Sequence, residues 1–287
     1  MKSSIEILIC ILLIVSCSRN EKESNVVDDP SNPNIPDSTS MNSEVRIYYE
    51  NSLSMDGYIN KNTDFKNVLR ELLVAIDNNE NIGSKTNFYL INDRLRKTDF
   101  GVESSKIADK LTPNSTKDKG DKNFSDFEKI LNTILKNQSE NTITIAIADF
   151  IYSPDDKNRP STLSKLRTYT KDGFLKAIKR NNQLKTRIFR FYGNFNGTYY
   201  DMNDENVSGI DKRPYYYFVI ADSKLMLKFN NEIGSQLKEM DGYQSEALFT
   251  TRVYNNIPRK ILSSTSTKGR LRVRNNSLEI ISSKDKY

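Results

Sequence analysis

The 287-residue sequence contains no histidine and no tryptophan, and only two cysteines. Without imidazole, Ser-His-Asp and Cys-His nucleophilic catalysis is excluded. The usual zinc and transition-metal centres, built on imidazole and thiolate, are excluded with it. Any metal must be held by oxygen from Asp, Glu, Ser, Thr or the backbone, a donor set that selects Mg²⁺, Mn²⁺ or Ca²⁺. Long apolar runs are scarce too. Ile5 to Val15 is nearly continuous, broken by Glu6, and its length of about 11 residues falls short of the roughly 20 that a bilayer span requires.

That run fits the apolar core of a signal peptide, with Lys2 before it and a polar segment after it. At its end Ile14, Val15, Ser16 and Cys17 resemble the bacterial lipobox, in which an aliphatic and a small residue precede an acylated cysteine. The resemblance implies removal of residues 1–16, lipidation of Cys17 and membrane attachment without a transmembrane helix. Cys10 would leave with the signal, so no disulfide is expected. Ser18 is similar to the residue that directs lipoproteins to the outer membrane in Gram-negative bacteria. The expected location is the cell envelope, outer membrane rather than inner, facing the periplasm or the cell surface.

The net charge of +6 is unevenly spread. Over residues 18–43, Arg19 and Lys22 stand against Glu21, Glu23, Asp28, Asp29 and Asp37, so the remainder is more basic than the total. Its cations are interspersed with acids, the pattern of a soluble basic surface, and no nucleic-acid partner is expected. The same stretch contains Pro30, Pro33 and Pro36 and little apolar content, which predicts a disordered tether over residues 17–43.

From Glu44 onward strand and helix patterns alternate. Val45, Ile47 and Tyr49 share one face of a first strand, and 86–91, 142–148, 186–192 and 215–220 read as further strands. Phe65, Val68, Leu69, Leu72, Leu73 and Ile76 have helical spacing over 63–77. Helices are also predicted from Ser125, with Ser125 and Glu128 forming a capping box, over 161–179 with Leu163, Leu166, Phe174, Leu175 and Ile178 inward, and after Asp222. Residues 112–122 read as a loop. The alternation predicts an α/β domain over 44–240, doubly wound, with a mostly parallel sheet covered by helices on both faces. Residues 241–287 form a basic extension in which 269–281 reads as a β-hairpin turning at Asn275 and Asn276.

The polar residues that follow the strands carry the chemistry. Glu50, Ser52 and Ser54 follow the first strand, Ser125 opens a helix, and Asp149 ends the most hydrophobic strand. In this order they resemble the metal-ion-dependent adhesion site of the von Willebrand factor A family: an Asp-x-Ser-x-Ser loop, a Thr and a later Asp. The likeness covers roughly residues 44–237 and is similar to that of A-like domains in lipoproteins of Bacteroidetes. It implies that Ser52, Ser54 and Ser125 supply hydroxyls to a metal, that Asp149 reaches it through water, and that Glu50 stands in the first Asp position. Glu50 is a departure, its oxygens displaced outward by ~1.5 Å relative to Asp. Leu53 departs as well, standing where glycine is frequent.

The resemblance implies a membrane-anchored binding, adhesion or assembly module, not an enzyme. Its divalent ion, Mg²⁺ or another hard cation such as Mn²⁺ or Ca²⁺, would engage an acidic group on a protein or glycan. Asp56, Tyr58 and Tyr152 are candidate partner contacts in the rim loops. Two other readings stay open: a metal-free scaffold in which Glu50 and Leu53 mark a degenerate site, and a metal-dependent hydrolase using Glu50, Asp149 or a lysine as base.

Overall fold

The computed structural model describes residues 43–82, 85–123, 125–151, 159–200, 206–207, 209–250, 270–274 and 277–281. The expected signal segment, Cys17 and the tether up to residue 42 lie outside them, as does Tyr152. Among the described residues no helix is long and apolar enough to cross a membrane.

The chain opens with β1 (Glu44–Glu50), which leads into a short helix, α1 (Leu53–Ile59), where the sequence suggested a loop. Helix α2 (Asp64–Asp77) starts where Thr63 accepts a hydrogen bond from the Lys66 amide, the N-cap arrangement that satisfies an otherwise unpaired donor. Strands β2 (Lys85–Ile91) and β3 (Leu95–Lys97) follow. The one-turn helices α3 (Ile107–Lys110) and α4 (Pro113–Thr116) come next, α4 lying inside the stretch expected to be a loop because Thr112 and Pro113 provide a helix start.

Helix α5 (Phe127–Lys136), strand β4 (Thr142–Ala148) and helix α6 (Arg159–Arg180) form the middle of the chain. Within α6, Leu166 and Ala177 are buried but Leu175 is exposed, contrary to the inward position expected for it. Gly173 meets Asn132 of α5 with no room for a Cβ, so the two helices approach backbone to side chain there.

After α6 come β5 (Leu184–Asn194), the two-residue pair β6 (Tyr199–Tyr200) and β7 (Asn206–Val207), and β8 (Lys212–Asp222). Asp222 caps helix α7 (Ser223–Phe229), and a π-helical turn (Asn230–Gly234) joins it to α8 (Ser235–Glu239). Strand β9 (Tyr243–Thr250) ends this unit. It pairs with β5 in the main sheet, so the domain extends beyond residue 240. The remaining described strands, β10 (Arg270–Arg274) and β11 (Ser277–Ile281), pair antiparallel with each other in a separate compact unit.

The fold of the main unit is α/β. Its seven-stranded sheet has the order β3-β2-β1-β4-β8-β5-β9. Strands β2, β1 and β4 are parallel neighbours, whereas β3, β8 and β9 each run antiparallel to the strands they pair with. The sheet is therefore mixed, not mostly parallel. Strand-helix alternation in sequence does not exclude this, because the connection from β5 to β8, with no helix among its described residues, lets the chain turn back along β5, where a helical crossover would have preserved direction.

Side-chain alternation along the strands splits the core in two. Val45, Ile47 and Tyr49 face α1, α2, α7 and α8 together with Ile145, Phe191, Tyr215 and Tyr217. Tyr48, Ala146, Tyr216 and Phe218 face α5 and α6. Each large apolar side chain so buried contributes about 1.5–3 kcal/mol of transfer free energy. Helices on both faces leave the ends of the strands as the places where polar groups meet solvent, and the candidate site lies at one such end.

Candidate metal centre

Strands β1 and β4 run side by side, Tyr49 paired with Ile147. Their chains thus emerge together, one as Glu50-Asn51-Ser52 and the other as Asp149. Parallel register alone brings these residues to one place. All four are buried, Glu50 being 1% exposed and Asp149 6%. A buried carboxylate needs partners, and the arrangement gives these two only part of what they need.

Glu50 accepts a hydrogen bond from the Ser125 hydroxyl through Oε1, while Oε2 is buried with no hydrogen-bond partner. Ser52 precedes α1 but makes no side-chain cap bond, and its hydroxyl lies 3.0 Å from that of Ser54. Asp149 accepts from the Ile151 amide through Oδ1 at 3.1 Å, and its Oδ2 is buried and without a hydrogen bond. Phe150 between them has φ +57°, a left-handed conformation that is costly for a large side chain. Its ring is held by Phe127, with centroids 4.1 Å apart, and by Phe218 at 4.3 Å. This packing fixes the turn that keeps Asp149 pointing inward.

Ser125 does not fill the role that its spacing to Glu128 suggested. The cap of α5 is Asp126, whose Oδ1 accepts from the Lys129 amide at 3.1 Å. With the cap supplied one residue later, the Ser125 hydroxyl turns to Glu50. The loop before it is strapped to the strand ends: Asn51 donates to the carbonyls of Thr116 at 3.2 Å and Lys119 at 3.1 Å, and Asn92 donates to that of Asp121 at 3.0 Å.

Of two buried cations nearby, only Arg213 faces a site carboxylate. Lys122 is buried, ion-paired with Asp56, and donates to the Thr116 hydroxyl at 3.1 Å. Arg213, at the head of β8, places Nη1 3.9 Å from Asp149 Oδ2. Burial, reinforced by the Asp149 charge and opposed by the hydroxyls of Ser125 and Ser52, pushes the Glu50 carboxyl up to about 8. Asp149 is also raised, chiefly by burial, with Arg213, the Ile151 amide and Ser54 opposing.

Of the proposed partner contacts, Tyr58 is contradicted: it is fully buried on α1, donates to the Pro214 carbonyl at 2.7 Å and packs edge-on against Phe195 and Tyr215. Asp56 is bound to Lys122 instead of standing free in a rim loop. Arg213, Lys122 and Asn51 are the polar residues that sequence reasoning missed. The signal for Arg213 was a lone arginine heading the apolar run Tyr215 to Ile220.

The donor set can be tested against the metal that the resemblance implies. Among the described residues no three His, Cys, Asp or Glu side chains gather to hold an ion, so two carboxylates would need help from hydroxyls. Ser52, Ser54 and Ser125 stand beside them, Glu50 Oε2 lacks the partner that a hard cation would be, and Asp149 Oδ2, without a hydrogen bond, faces only Arg213. The residues therefore fit an oxygen-ligated divalent ion. The surface hollow lined by Ser139, Ala177, Arg180 and Leu184 shares no residue with this cluster.

No family model matches the chain, and comparison with curated proteins and with solved structures finds no significant match.

Proposed function

We propose that the chain is a lipid-anchored binding or assembly module of the cell envelope. It engages an acidic group on a protein or glycan through a divalent ion, Mg²⁺ or a similar hard cation, held by Glu50, Ser52, Ser54, Ser125 and Asp149. The observation that carries this reading is the pair of buried carboxylate oxygens without a hydrogen bond, Glu50 Oε2 and Asp149 Oδ2, the latter facing only Arg213 at 3.9 Å, beside three hydroxyls. Hydroxyls neutralise less of an ion's charge than carboxylates, so a cation held here would retain affinity for a partner's carboxylate.

The order β3-β2-β1-β4 matches the first half of the doubly wound order 3-2-1-4-5-6, in which ligands bind at the carboxyl ends of the strands where that order reverses. Glu50 and Asp149 flank that point, between β1 and β4. This supports a von Willebrand factor A-like unit whose second half has been rebuilt around an antiparallel β8.

A metal-free scaffold is the second reading. Arg213 already supplies a cation to Asp149, and burial, by favouring the protonated form of Glu50, lessens its need for a counter-ion.

Isothermal titration of the full chain with Mg²⁺ and Mn²⁺ separates the two. Micromolar to millimolar binding that is lost in Ser52→Ala and Asp149→Ala supports the metal centre. Heat-silent titration of a folded wild type supports the scaffold.

A further inference from the structure

Arg213 is an unusual neighbour for a cation site. It is buried, its guanidinium lies 3.9 Å from the centroid of the Tyr199 ring and 5.0 Å from that of Phe195, and its Nη1 makes no hydrogen bond. Stacking on two rings restricts its rotamers and keeps its charge aimed at Asp149. Phe195 in turn packs on Gly57 of α1, the helix that carries Ser54. The arginine is therefore built into the wall of the site and cannot swing out to solvent.

Its presence there follows from strand direction. Because β8 is antiparallel to β4, with Ala148 paired to Tyr216, the first residues of β8 reach the carboxyl end of β4. A parallel β8 would have brought Asp222 to that end instead. Lys122 has Asp56 as its own counter-ion, whereas the salt-bridge partner of Arg213 is Asp149.

We propose that Arg213 is a positioning residue acting as an internal rival cation: it and a divalent ion compete for the Asp149 carboxylate, so the chain's own guanidinium sets the metal affinity low. The inference rests on the metal-centre reading above. A positive charge near the ion repels it in a poorly solvated site, and the metal must take over a carboxylate that is already partly neutralised. The consequence is a centre that fills only at high divalent concentration, or when a partner's carboxylate adds to the binding.

The test is titration of the full chain with Mg²⁺ and Mn²⁺, comparing wild type with Arg213→Met, Arg213→Gln and Arg213→Lys. Methionine keeps a long stem between the two rings without the charge, and lysine keeps the charge. Affinity about 10-fold or more tighter in Arg213→Met and Arg213→Gln, with Arg213→Lys nearer wild type than either, is the expected result. A merely structural arginine would give the opposite sign, because loosening the site weakens binding. Equal affinities in wild type and both neutral variants would overturn the proposal while leaving the metal centre standing. Absence of binding in every protein would overturn both. Should the neutral variants unfold in chelator, recovery of near-ultraviolet circular dichroism in millimolar Mg²⁺ supports the exchange of one cation for the other, and persistent unfolding overturns it.

Discussion

The hydroxyl of Ser125 donates to the carboxyl of Glu50, joining the entrance of α5 to the end of β1 across 75 positions of sequence. Its neighbour Asp126 holds the helix start instead. Two adjacent polar residues thus divide two duties, and mutation separates them. Asp126→Ala is expected to lower stability by about 1 kcal/mol, the usual value of an N-cap, with divalent binding unchanged. Ser125→Ala should leave α5 intact and weaken divalent binding, because a proposed ligand hydroxyl and a support of Glu50 are lost together. Urea unfolding beside calorimetric titration of both variants checks the division.

Glu50 makes stability depend on pH. Below its ordinary value of 4.5 the carboxyl is protonated in folded and unfolded chains alike. Between there and about 8 the unfolded chain releases the proton while the folded chain keeps it. In chelator, stability is therefore expected to fall as pH rises through that window and to level off above it. The raised Asp149 acts in the same direction. Glu50→Gln, which retains an acceptor for Ser125, should flatten most of the slope in a series of urea midpoints. Divalent affinity should rise over the same window, since the ion displaces the proton.

Lys122 is 8% exposed at its side chain and Asp56 26%. Removing one partner leaves the other charged and poorly solvated, so Asp56→Ala is expected to cost about 3 kcal/mol. The double substitution Asp56→Leu with Lys122→Met should recover most of that loss. A loss in the double variant as large as the sum of the two single losses would show that the pair is not coupled.

Gly57 lies against Phe195, whose ring atoms occupy the place of a Cβ. Gly57→Ala must push the ring aside, at a cost on the order of 1–3 kcal/mol. Because the same ring covers Arg213, the substitution should also alter divalent binding, whereas Gly234→Ala, where φ is −58° and a Cβ meets only ordinary contacts, should not. Thermal unfolding and titration of the two variants make the comparison.

Much of this architecture was legible in residue order. The seven apolar and β-branched residues of Thr142–Ala148 read as a central strand, and the spacing from Phe65 to Ile76 identified α2. Glu50, Ser52, Ser54, Ser125 and Asp149, chosen from a motif, meet in space because β1 and β4 are parallel neighbours. Strand direction beyond β4 was hidden, since strand-helix alternation does not say which way the chain returns from β5. The fate of Tyr58 was hidden for a related reason. A loop-like composition at Ser52 to Asp56 gave no sign of a helix that buries its far end. Arg213 was invisible as a site residue because its place beside Asp149 depends on that unforeseen antiparallel pairing.

The left-handed turn at Phe150 has one more consequence. Its ring is clasped by Phe127, Tyr216 and Phe218, so the backbone is locked immediately after Asp149. The aromatic knuckle separates the fixed carboxylate from the segment that follows. The charge at the end of β4 is thus anchored by hydrocarbon and not by a counter-ion, so its place does not depend on which cation faces it.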